Sequence, residues 1–192
     1  MKKIYLAGPD VFAPDAREIG RLKVAICARH GLHGIYPLDV VDVDPGLPPG
    51  VQALVIYDAL ERAMHDCDAG IVDMTPFRGP STDVGTAFEM GFLRALGRPL
   101  FAYGGDARSF AERTVEWFRG AVTQRADGTR EGGDGLAIED FGLTDNLMLD
   151  GAVRRSSAHF AHAPLAPGEG RAAYANFESC VRAAATWFAA GR

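Results

Sequence analysis

Asp83 and Glu89 are the two residues whose type and spacing most directly suggest chemistry. Glu89 is the only charged side chain between Asp83 and Arg94, in a stretch of otherwise uncharged, mostly apolar residues. A carboxylate among apolar side chains loses its hydration, which is costly, so its presence needs a reason. Two carboxylates at one site can divide a reaction between them: one attacks or stabilises an electron-poor carbon and the other handles a proton.

The helix predicted over residues 82–96 decides how these two groups relate. Six residues of helix give about 9 Å of rise and roughly 600° of rotation, so the two carboxylates do not share a helix face. Asp83 fits the start of the helix, where a carboxylate is favoured by the helix dipole. Gly85 stands four residues before Glu89 on the same face and, having no side chain, leaves a ligand room to reach it.

Each of these residues also has a purely structural interpretation. Asp83 could be only the N-cap of its helix. Glu89 could form an ion pair in the core. Three arginines are available for such a pair: Arg78, Arg94 and Arg98. Tyr5 alternates with apolar neighbours at the end of the first predicted strand and could be an ordinary core tyrosine.

The hydrophobic pattern predicts strands alternating with helices. The predicted strands are residues 3–7, 34–38, 70–74 and 99–103. The predicted helices are residues 15–30, 51–65, 82–96, about 110–118 and 171–190. Residues 39–50 and 75–81 are rich in Pro, Gly and polar side chains and are predicted to be loops.

This alternation is typical of a parallel sheet covered by helices on both faces. Four or five strands favour a flavodoxin-like, doubly wound α/β fold with strand order 2-1-3-4-5 over a full dinucleotide-binding fold. The ligand crevice then lies between the first and third strands, where residues 8–12 and 75–83 meet. The residues expected near this crevice are Tyr5, Gly8, Asp10, Asp83 and Glu89.

The whole chain, residues 1–192, is expected to form one domain, with a mobile, glycine-rich insertion at about 104–135. The net charge of −5 comes with no basic stripe, which argues against nucleic acid as a partner. No apolar run approaches the roughly 18–20 residues needed to span a membrane, and the N-terminus lacks a secretory signal pattern. We therefore expect a cytoplasmic protein that binds neither nucleic acid nor membrane.

The sequence contains no metal or cofactor motif. The scattered cysteines, Cys27, Cys67 and Cys180, suit free thiols rather than a disulfide framework or a metal set. The five histidines form no His-Glu-x-x-His arrangement. The glycine-rich dinucleotide fingerprint, the phosphate-binding loop and the G-x-S-x-G nucleophile elbow are also absent from the sequence. We expect chemistry without a cofactor.

Three sequence blocks carry a resemblance to a known family. They are KIYLAGPDVF at residues 3–12, DCDAGIVDMTPFRGPSTDVGTAFEMGF at residues 66–92 and FGLTDNLMLD at residues 141–150. In this order they resemble the nucleoside 2-deoxyribosyltransferase family, over most of residues 3–103 and the short block near 141–150. The resemblance implies a flavodoxin-like fold and transfer of a 2-deoxyribosyl group between purine or pyrimidine bases, with retention at the anomeric carbon.

The resemblance also implies roles for individual residues. Glu89 falls on the family's covalent nucleophile, Asp83 on the aspartate that contacts the base and assists proton transfer, and Tyr5 on the tyrosine that holds the glutamate. Asn146 falls on an asparagine that reaches into the active site of a neighbouring subunit, which implies a homo-oligomer. The implied partners are small nucleosides and free nucleobases.

Further residues are expected to bind the substrate. They are Gly8, Asp10, Phe12, Asp58, Arg78, Gly85, Asn146 and Met148. One departure concerns base recognition: where the family often has Asp or Asn, this chain has Leu60, and Asp58 stands two residues away. Either Asp58 takes over that contact through a shift or the contact is missing, which leaves the base preference open.

Two other functions are compatible with the same residues. A hydrolase of the same superfamily, an N-glycosidase acting on deoxynucleosides or deoxynucleotides, would use water in place of an acceptor base. A nucleotide substrate fits poorly, because residues 8–12 contain an acid and no base to meet a 5′-phosphate. A nucleoside-binding module without turnover is the second alternative, and it predicts that Glu89→Ala keeps its ligand affinity.

Overall fold

The computed structural model describes residues 1–162 and 173–191. Its strands are β1 (Lys2–Ala7), β2 (Leu32–Ile35), β3 (Ala69–Asp73), β4 (Leu100–Tyr103), β5 (Thr123–Gln124), β6 (Arg130–Glu131) and β7 (His159–Ala161). Five of them form a parallel sheet in the order β2-β1-β3-β4-β7. The predicted flavodoxin-like, doubly wound α/β sheet and its strand order are confirmed. The position of the fifth strand, β7, was not predicted.

Helices cover both faces of this sheet. They are α1 (Ala16–Arg29), α2 (Pro37–Val40), α3 (Pro49–Asp66), α4 (Val84–Ala95), α5 (Phe110–Trp117), α6 (Leu147–Arg154) and α7 (Tyr174–Ala189). A 3₁₀ turn, Pro9–Phe12, follows β1. One apolar core lies between the sheet and α1 with α7, and a second lies between the sheet and α3, α4 and α6. Burial on both faces explains the continuously apolar strands.

Side-chain alternation along β1 decides which residues face which helix layer. Ile4 and Leu6 belong to the core beside α1 and α7. Tyr5 and Ala7 belong to the core beside α3 and α4. Because successive side chains of a strand point to opposite faces, the sequence of β1 directs Tyr5 towards the helix that carries Glu89.

The predicted second strand, residues 34–38, is wrong in its bounds. The strand is Leu32–Ile35, and Pro37–Val40 forms a short helix where a strand and a loop were predicted. Proline has no N–H for a strand ladder, and its fixed φ suits the first turn of a helix, so the strand ends before Pro37. α3 likewise begins at a proline, Pro49, two residues before its predicted start.

The segment 104–135, predicted to be a mobile insertion, contains regular structure. α5 matches the helix predicted at about 110–118 and begins with a capping box formed by Ser109 and Glu112. Further along, β5 and β6 pair as a small antiparallel ribbon. α7 lies within the predicted helix 171–190, whose first two residues fall outside the described part of the chain.

The described helices include none that is both long enough and apolar enough to cross a membrane. Within residues 1–162 and 173–191, no three His, Cys, Asp or Glu side chains are grouped so that they could hold a metal ion. The thiols of Cys27, Cys67 and Cys180 are buried and free.

Candidate active site

A cavity of about 290 Å³ lies where β1 and β3 end, at the crevice predicted from the strand order. Its size is close to the lower end of the ~300–1,000 Å³ typical of small-molecule sites. The lining residues are Gly8, Val11, Phe12, Pro37, Leu38, Val41, Ile56, Leu60, Asp83, Gly85, Thr86 and Glu89. Most of this lining is apolar, and both of its carboxylates belong to α4 and its N-cap.

Glu89 reaches this cavity from α4. The hydroxyl of the fully buried Tyr5 donates a hydrogen bond to Glu89 Oε1 over 2.6 Å. This bond holds one carboxylate oxygen, and within the described chain the other oxygen, Oε2, accepts no hydrogen bond. Glu89 makes no ion pair among the described residues, so the alternative of a core ion pair with an arginine is not supported.

The electrostatic surroundings bring Glu89 close to its titration point at neutral pH. Burial raises the pKa of Glu89 from 4.5 to about 7; the hydrogen bond from Tyr5 opposes this shift, and the charges of Asp83 and Asp10 add to it. Burial, together with the charge of Glu89, raises the pKa of Tyr5 well above its usual range. Tyr5 therefore keeps its proton and stays a donor. A carboxyl group shifted in this way inside a cleft is a frequent property of functional sites.

Asp83 combines a structural and a ligand-facing position. As the N-cap of α4, it accepts hydrogen bonds on Oδ2 from the backbone N–H of Thr86 at 3.0 Å and from the Thr86 hydroxyl at 3.2 Å. Its Oδ1 accepts no hydrogen bond from the described residues, so one oxygen remains for a ligand. A Cβ at Gly85 would stand 3.0 Å from Asp83 Oδ2. Glycine at this position keeps the space beside the carboxylate open.

The turn after β1 forms one wall of the cavity. A Cβ at Gly8 would come within 2.8 Å of Asp73 Cβ, so the close approach of the ends of β1 and β3 requires glycine there. Phe12 stacks on Phe77 with ring centroids 5.4 Å apart. The guanidinium of Arg78 lies 4.8 Å from the Phe77 ring centre, and Arg78 itself is exposed and outside the cavity lining.

Asp10, predicted to bind the substrate, is not part of the cavity lining. It is buried, and its Oδ2 lies 2.6 Å from the Nζ of Lys23 on α1. Lys23 also donates a 2.6 Å hydrogen bond to the hydroxyl of Tyr103. Lys23 was not among the predicted residues. Its spacing, four residues after Ile19 and three before Ile26, places it on the apolar face of α1, and this was the available signal.

α3 presents an apolar face to the cavity. Ile56 and Leu60, four residues apart, share that face and line the cavity. Asp58 lies roughly 200° around the helix from Ile56, and it is exposed. The structure therefore does not bring Asp58 to the cavity. Leu60 occupies the position on the helix where a polar contact with the base was expected.

Asn146 and Met148 stand at the start of α6, outside the lining of this cavity. The Asn146 side chain caps α6 by accepting a hydrogen bond from the Met148 N–H at 3.0 Å, and it donates to Glu139 Oε2 at 2.9 Å. Met148 is 71% exposed. The structure therefore does not bring either predicted residue to the cavity of its own chain.

A larger depression of about 460 Å³ lies between the β3–α4 loop and α5. Both of its carboxylates are already paired, since Arg108 forms ion pairs with Asp106 and Glu116. Its hydrogen bonds with Arg108 hold the pKa of Asp106 below its usual value, opposite to the shift of Glu89. The smaller cavity, where two carboxylates meet an apolar wall, is therefore the candidate active site.

Comparison with known proteins shows the family of the chain. A family model for nucleoside 2-deoxyribosyltransferase matches residues 4–148. An uncharacterised protein of Schizosaccharomyces pombe is 33% identical over an alignment of 168 residues, and the match covers 82% of this chain and 80% of that one. The structure of a 2-desoxiribosyltransferase from Leishmania mexicana is 33% identical, with a TM-score of 0.60 over 78% of this chain and 85% of that one. A conserved protein from Enterococcus faecalis, 20% identical, shares the fold with a TM-score of 0.54 over 85% of this chain and 92% of its own. The chain therefore belongs to the nucleoside 2-deoxyribosyltransferase family, a family of glycosyl-transferring enzymes that act on small nucleosides and nucleobases.

Proposed function

We propose that this protein exchanges the base of a 2-deoxyribonucleoside, with retention of configuration, through a covalent deoxyribosyl ester of Glu89. One observation carries the proposal: Glu89, held by Tyr5, stands with Asp83 in a single, largely apolar cavity. Membership of the family supports the class of reaction. The Leishmania mexicana relative is itself named a 2-desoxiribosyltransferase.

In the first half of the proposed reaction, an ionised oxygen of Glu89 attacks C1′ of the sugar. The C1′–N bond breaks, its electron pair passes to the base, and the base leaves with a proton supplied on the Asp83 side. Because Tyr5 already holds one oxygen of the carboxylate, the attacking oxygen needs little reorientation. The sugar lacks an electron-withdrawing 2-hydroxyl, which lowers the cost of the oxocarbenium-like transition state.

In the second half, a nitrogen of the acceptor base attacks C1′ of the ester. The C1′–O bond breaks, the carboxylate of Glu89 is restored, and the proton lost by the acceptor returns to Asp83. Two displacements at C1′ give net retention. Apolar side chains such as Val11, Leu38 and Ile56 line the cavity. By excluding water they favour the acceptor base over hydrolysis.

The charge of the cavity supports a nucleoside substrate rather than a nucleotide. Among the described residues, the lining contains no lysine or arginine. The side chain of Lys23, close to the turn after β1, is only 2% exposed and is paired with Asp10. A 5′-phosphate would therefore meet two carboxylates without a cationic partner, which is electrostatically unfavourable.

We further propose that the protein is a homo-oligomer in which Asn146 completes the site of a neighbouring subunit. α4 contacts both α3 and α6. These helices carry exposed apolar side chains on the same side of the sheet: Leu54, Tyr57, Val84, Phe88, Leu147 and Met148. Such a surface suits contact with another protein, and a second copy would bring another Asn146 close to the cavity.

The proposed function is tested by incubating the protein with 2′-deoxyinosine, with and without adenine, and separating the products. Formation of deoxyadenosine, abolished in Glu89→Ala, is the expected result. Equal release of hypoxanthine with and without adenine would assign a hydrolase instead. Tight binding of deoxyinosine without any product, unchanged in Glu89→Ala, would assign a binding module.

A further inference from the structure

The loop between β3 and α4, which ends in Asp83, is held by a carboxylate from a distant part of the chain. Asp145 is fully buried. It accepts hydrogen bonds from the Ser81 hydroxyl at 2.5 Å, from the Thr82 N–H at 2.8 Å and from the Thr82 hydroxyl at 2.9 Å. A fourth comes from the N–H of Asn146 at 2.7 Å. Three of these four bonds reach the two residues that immediately precede Asp83.

Arg113 on α5 supports the same loop. It is 4% exposed, and its Nε donates to the Pro80 carbonyl at 2.8 Å. Its Nη1 donates to the Arg108 carbonyl at 2.6 Å and its Nη2 to the Thr144 carbonyl at 2.5 Å. The same Nη2 lies 3.6 Å from the Asp145 carboxylate. One guanidinium thus joins the loop, α5 and the segment that carries Asp145.

We infer that Asp145, supported by Arg113, is a positioning residue that fixes the β3–α4 loop so that the free oxygen of Asp83 meets the departing base. The inference rests on the proposed function for the role of Asp83. Surface loops are more mobile than the elements they connect, so an acid at a loop end needs additional restraint. A buried carboxylate with a full set of donors provides it, because breaking any one bond leaves a buried polar group unsatisfied.

The inference gives the segment from α5 to Asp145 a function. Asp83 already uses Oδ2 to cap α4 through Thr86, so the direction of its Oδ1 depends on how the chain enters the helix. Pro80, Ser81 and Thr82 determine that entry, and each is bonded to Arg113 or Asp145. The region between β4 and α6 therefore holds in place the loop that ends at Asp83.

Two substrates distinguish a misplaced proton donor from general damage to the site. Hypoxanthine leaves 2′-deoxyinosine only with help from a proton donor. 7-Methyl-2′-deoxyguanosine already carries a positive charge on its purine, so breaking its C1′–N9 bond releases a neutral base without a proton. Loss of the acid's position should slow the first-turnover release of base from deoxyinosine and leave that from 7-methyl-2′-deoxyguanosine near its original rate. General damage to the site should slow both.

The test compares Asp145→Asn with Asp140→Asn. Asn at 145 keeps the size of the side chain but places an amide group among four donors. We expect the single-turnover rate of hypoxanthine release from deoxyinosine to fall by about 100-fold, with little change in the release of 7-methylguanine. Asp140 is an acid of the same segment, half exposed and paired with Arg130, and its variant should behave as the wild type. Thr82→Val and Ser81→Ala each remove one of the hydrogen bonds, so they should give smaller losses of the same kind even if Asp145→Asn does not fold.

Equal losses on the two substrates would overturn the inference. A second measurement does not depend on activity: hydrogen exchange at the amides of Thr82 and Thr86, followed by NMR. Exchange should become faster in Thr82→Val or Asp145→Asn and stay unchanged in Asp140→Asn, and unaltered exchange in all variants would overturn the anchoring itself. A wild-type protein that releases neither base would defeat the proposed function, while the exchange rates would still decide whether Asp145 holds the loop.

Discussion

At the scale of single residues, the burial of Glu89 makes its ionised form costly, and the same burial serves the proposed reaction. The same apolar surroundings that raise its pKa to about 7 also exclude water from the ester that it is proposed to form. Only the ionised form can attack C1′, so kcat/KM for base exchange should rise about tenfold between pH 6 and pH 8. A pH–rate profile with deoxyinosine and adenine measures this directly. A flat profile down to pH 5 would show that the carboxyl group is not shifted.

The raised pKa of Glu89 also predicts how stability depends on pH. A carboxyl group whose pKa is higher in the folded state binds its proton more tightly when folded. Its stabilising contribution is complete below its ordinary pKa of 4.5 and is lost as the pH rises through about 7. Glu89→Gln removes this titration and keeps an acceptor for Tyr5, so it should become more stable than the wild type by about 1–3 kcal/mol at pH 8, allowing for partial exposure to the cavity. Urea unfolding at pH 5 and pH 8 tests this, and a stability difference that is the same at both pH values would contradict it.

Because Leu60 is apolar, recognition of the base in the proposed reaction depends on the carboxylate of Asp83 alone. With Ile56 and Leu60 facing the cavity, α3 offers the base no hydrogen bond, so the protein should discriminate weakly between adenine and hypoxanthine as acceptors. Leu60→Asp adds an acceptor for an exocyclic amino group, and a hydrogen bond to a charged group contributes about 1.5–3 kcal/mol. The ratio of kcat/KM for adenine over hypoxanthine should rise about tenfold or more. Leu54→Asp, on the exposed part of the same helix, should leave that ratio unchanged.

At the scale of elements, an ion pair joins the turn after β1 to α1. Lys23 and Asp10 are each 2% exposed, and removing one partner of a buried pair typically costs about 3–5 kcal/mol. Lys23→Met should lower the free energy of unfolding by that amount, and adding Asp10→Asn should recover part of it. Lys2→Met, which breaks the exposed pair with Asp68, should cost at most about 1 kcal/mol. Equal losses for Lys2 and Lys23 in chemical denaturation would contradict this account.

The sequence predicted the elements better than the contacts between them. The predicted strand order was sufficient to bring Asp83 and Glu89 to one crevice, with Tyr5 bonded to Glu89, because the ends of β1 and β3 meet there. The same order placed Asp10 in the crevice, and the structure does not. β7 has only three residues, His159–Ala161, and gives too short a pattern to detect. The pairs Lys23–Asp10 and Thr82–Asp145 join residues 13 and 63 positions apart. Local hydrophobic periodicity does not predict contacts between residues so far apart in the sequence.

At the scale of the whole molecule, the apolar surface formed by α3, α4 and α6 is the feature that a single copy leaves unexplained. Val84 is 85% exposed and Phe88 is 50% exposed. The ring of Phe88 lies 6.1 Å from that of Tyr57 on α3, so these two exposed rings are neighbours across the two helices. Large contiguous apolar patches on a protein surface commonly mark contact with another protein. We therefore expect sedimentation to show an oligomer.

Subunit mixing tests whether Asn146 serves a neighbouring site. If it does, Glu89→Ala and Asn146→Ala fail for different reasons, and a mixed dimer contains one site with Glu89 from one chain and Asn146 from the other. Half of the dimers in an equal mixture are mixed and half of their sites are complete, so about one quarter of the wild-type base exchange should return. A mixture of Glu89→Ala with Asp83→Ala is the matched control, and it should stay inactive because both side chains belong to the same chain's site. Equal recovery in both mixtures, or none in either, would place Asn146 outside the neighbouring site and limit its role to capping α6.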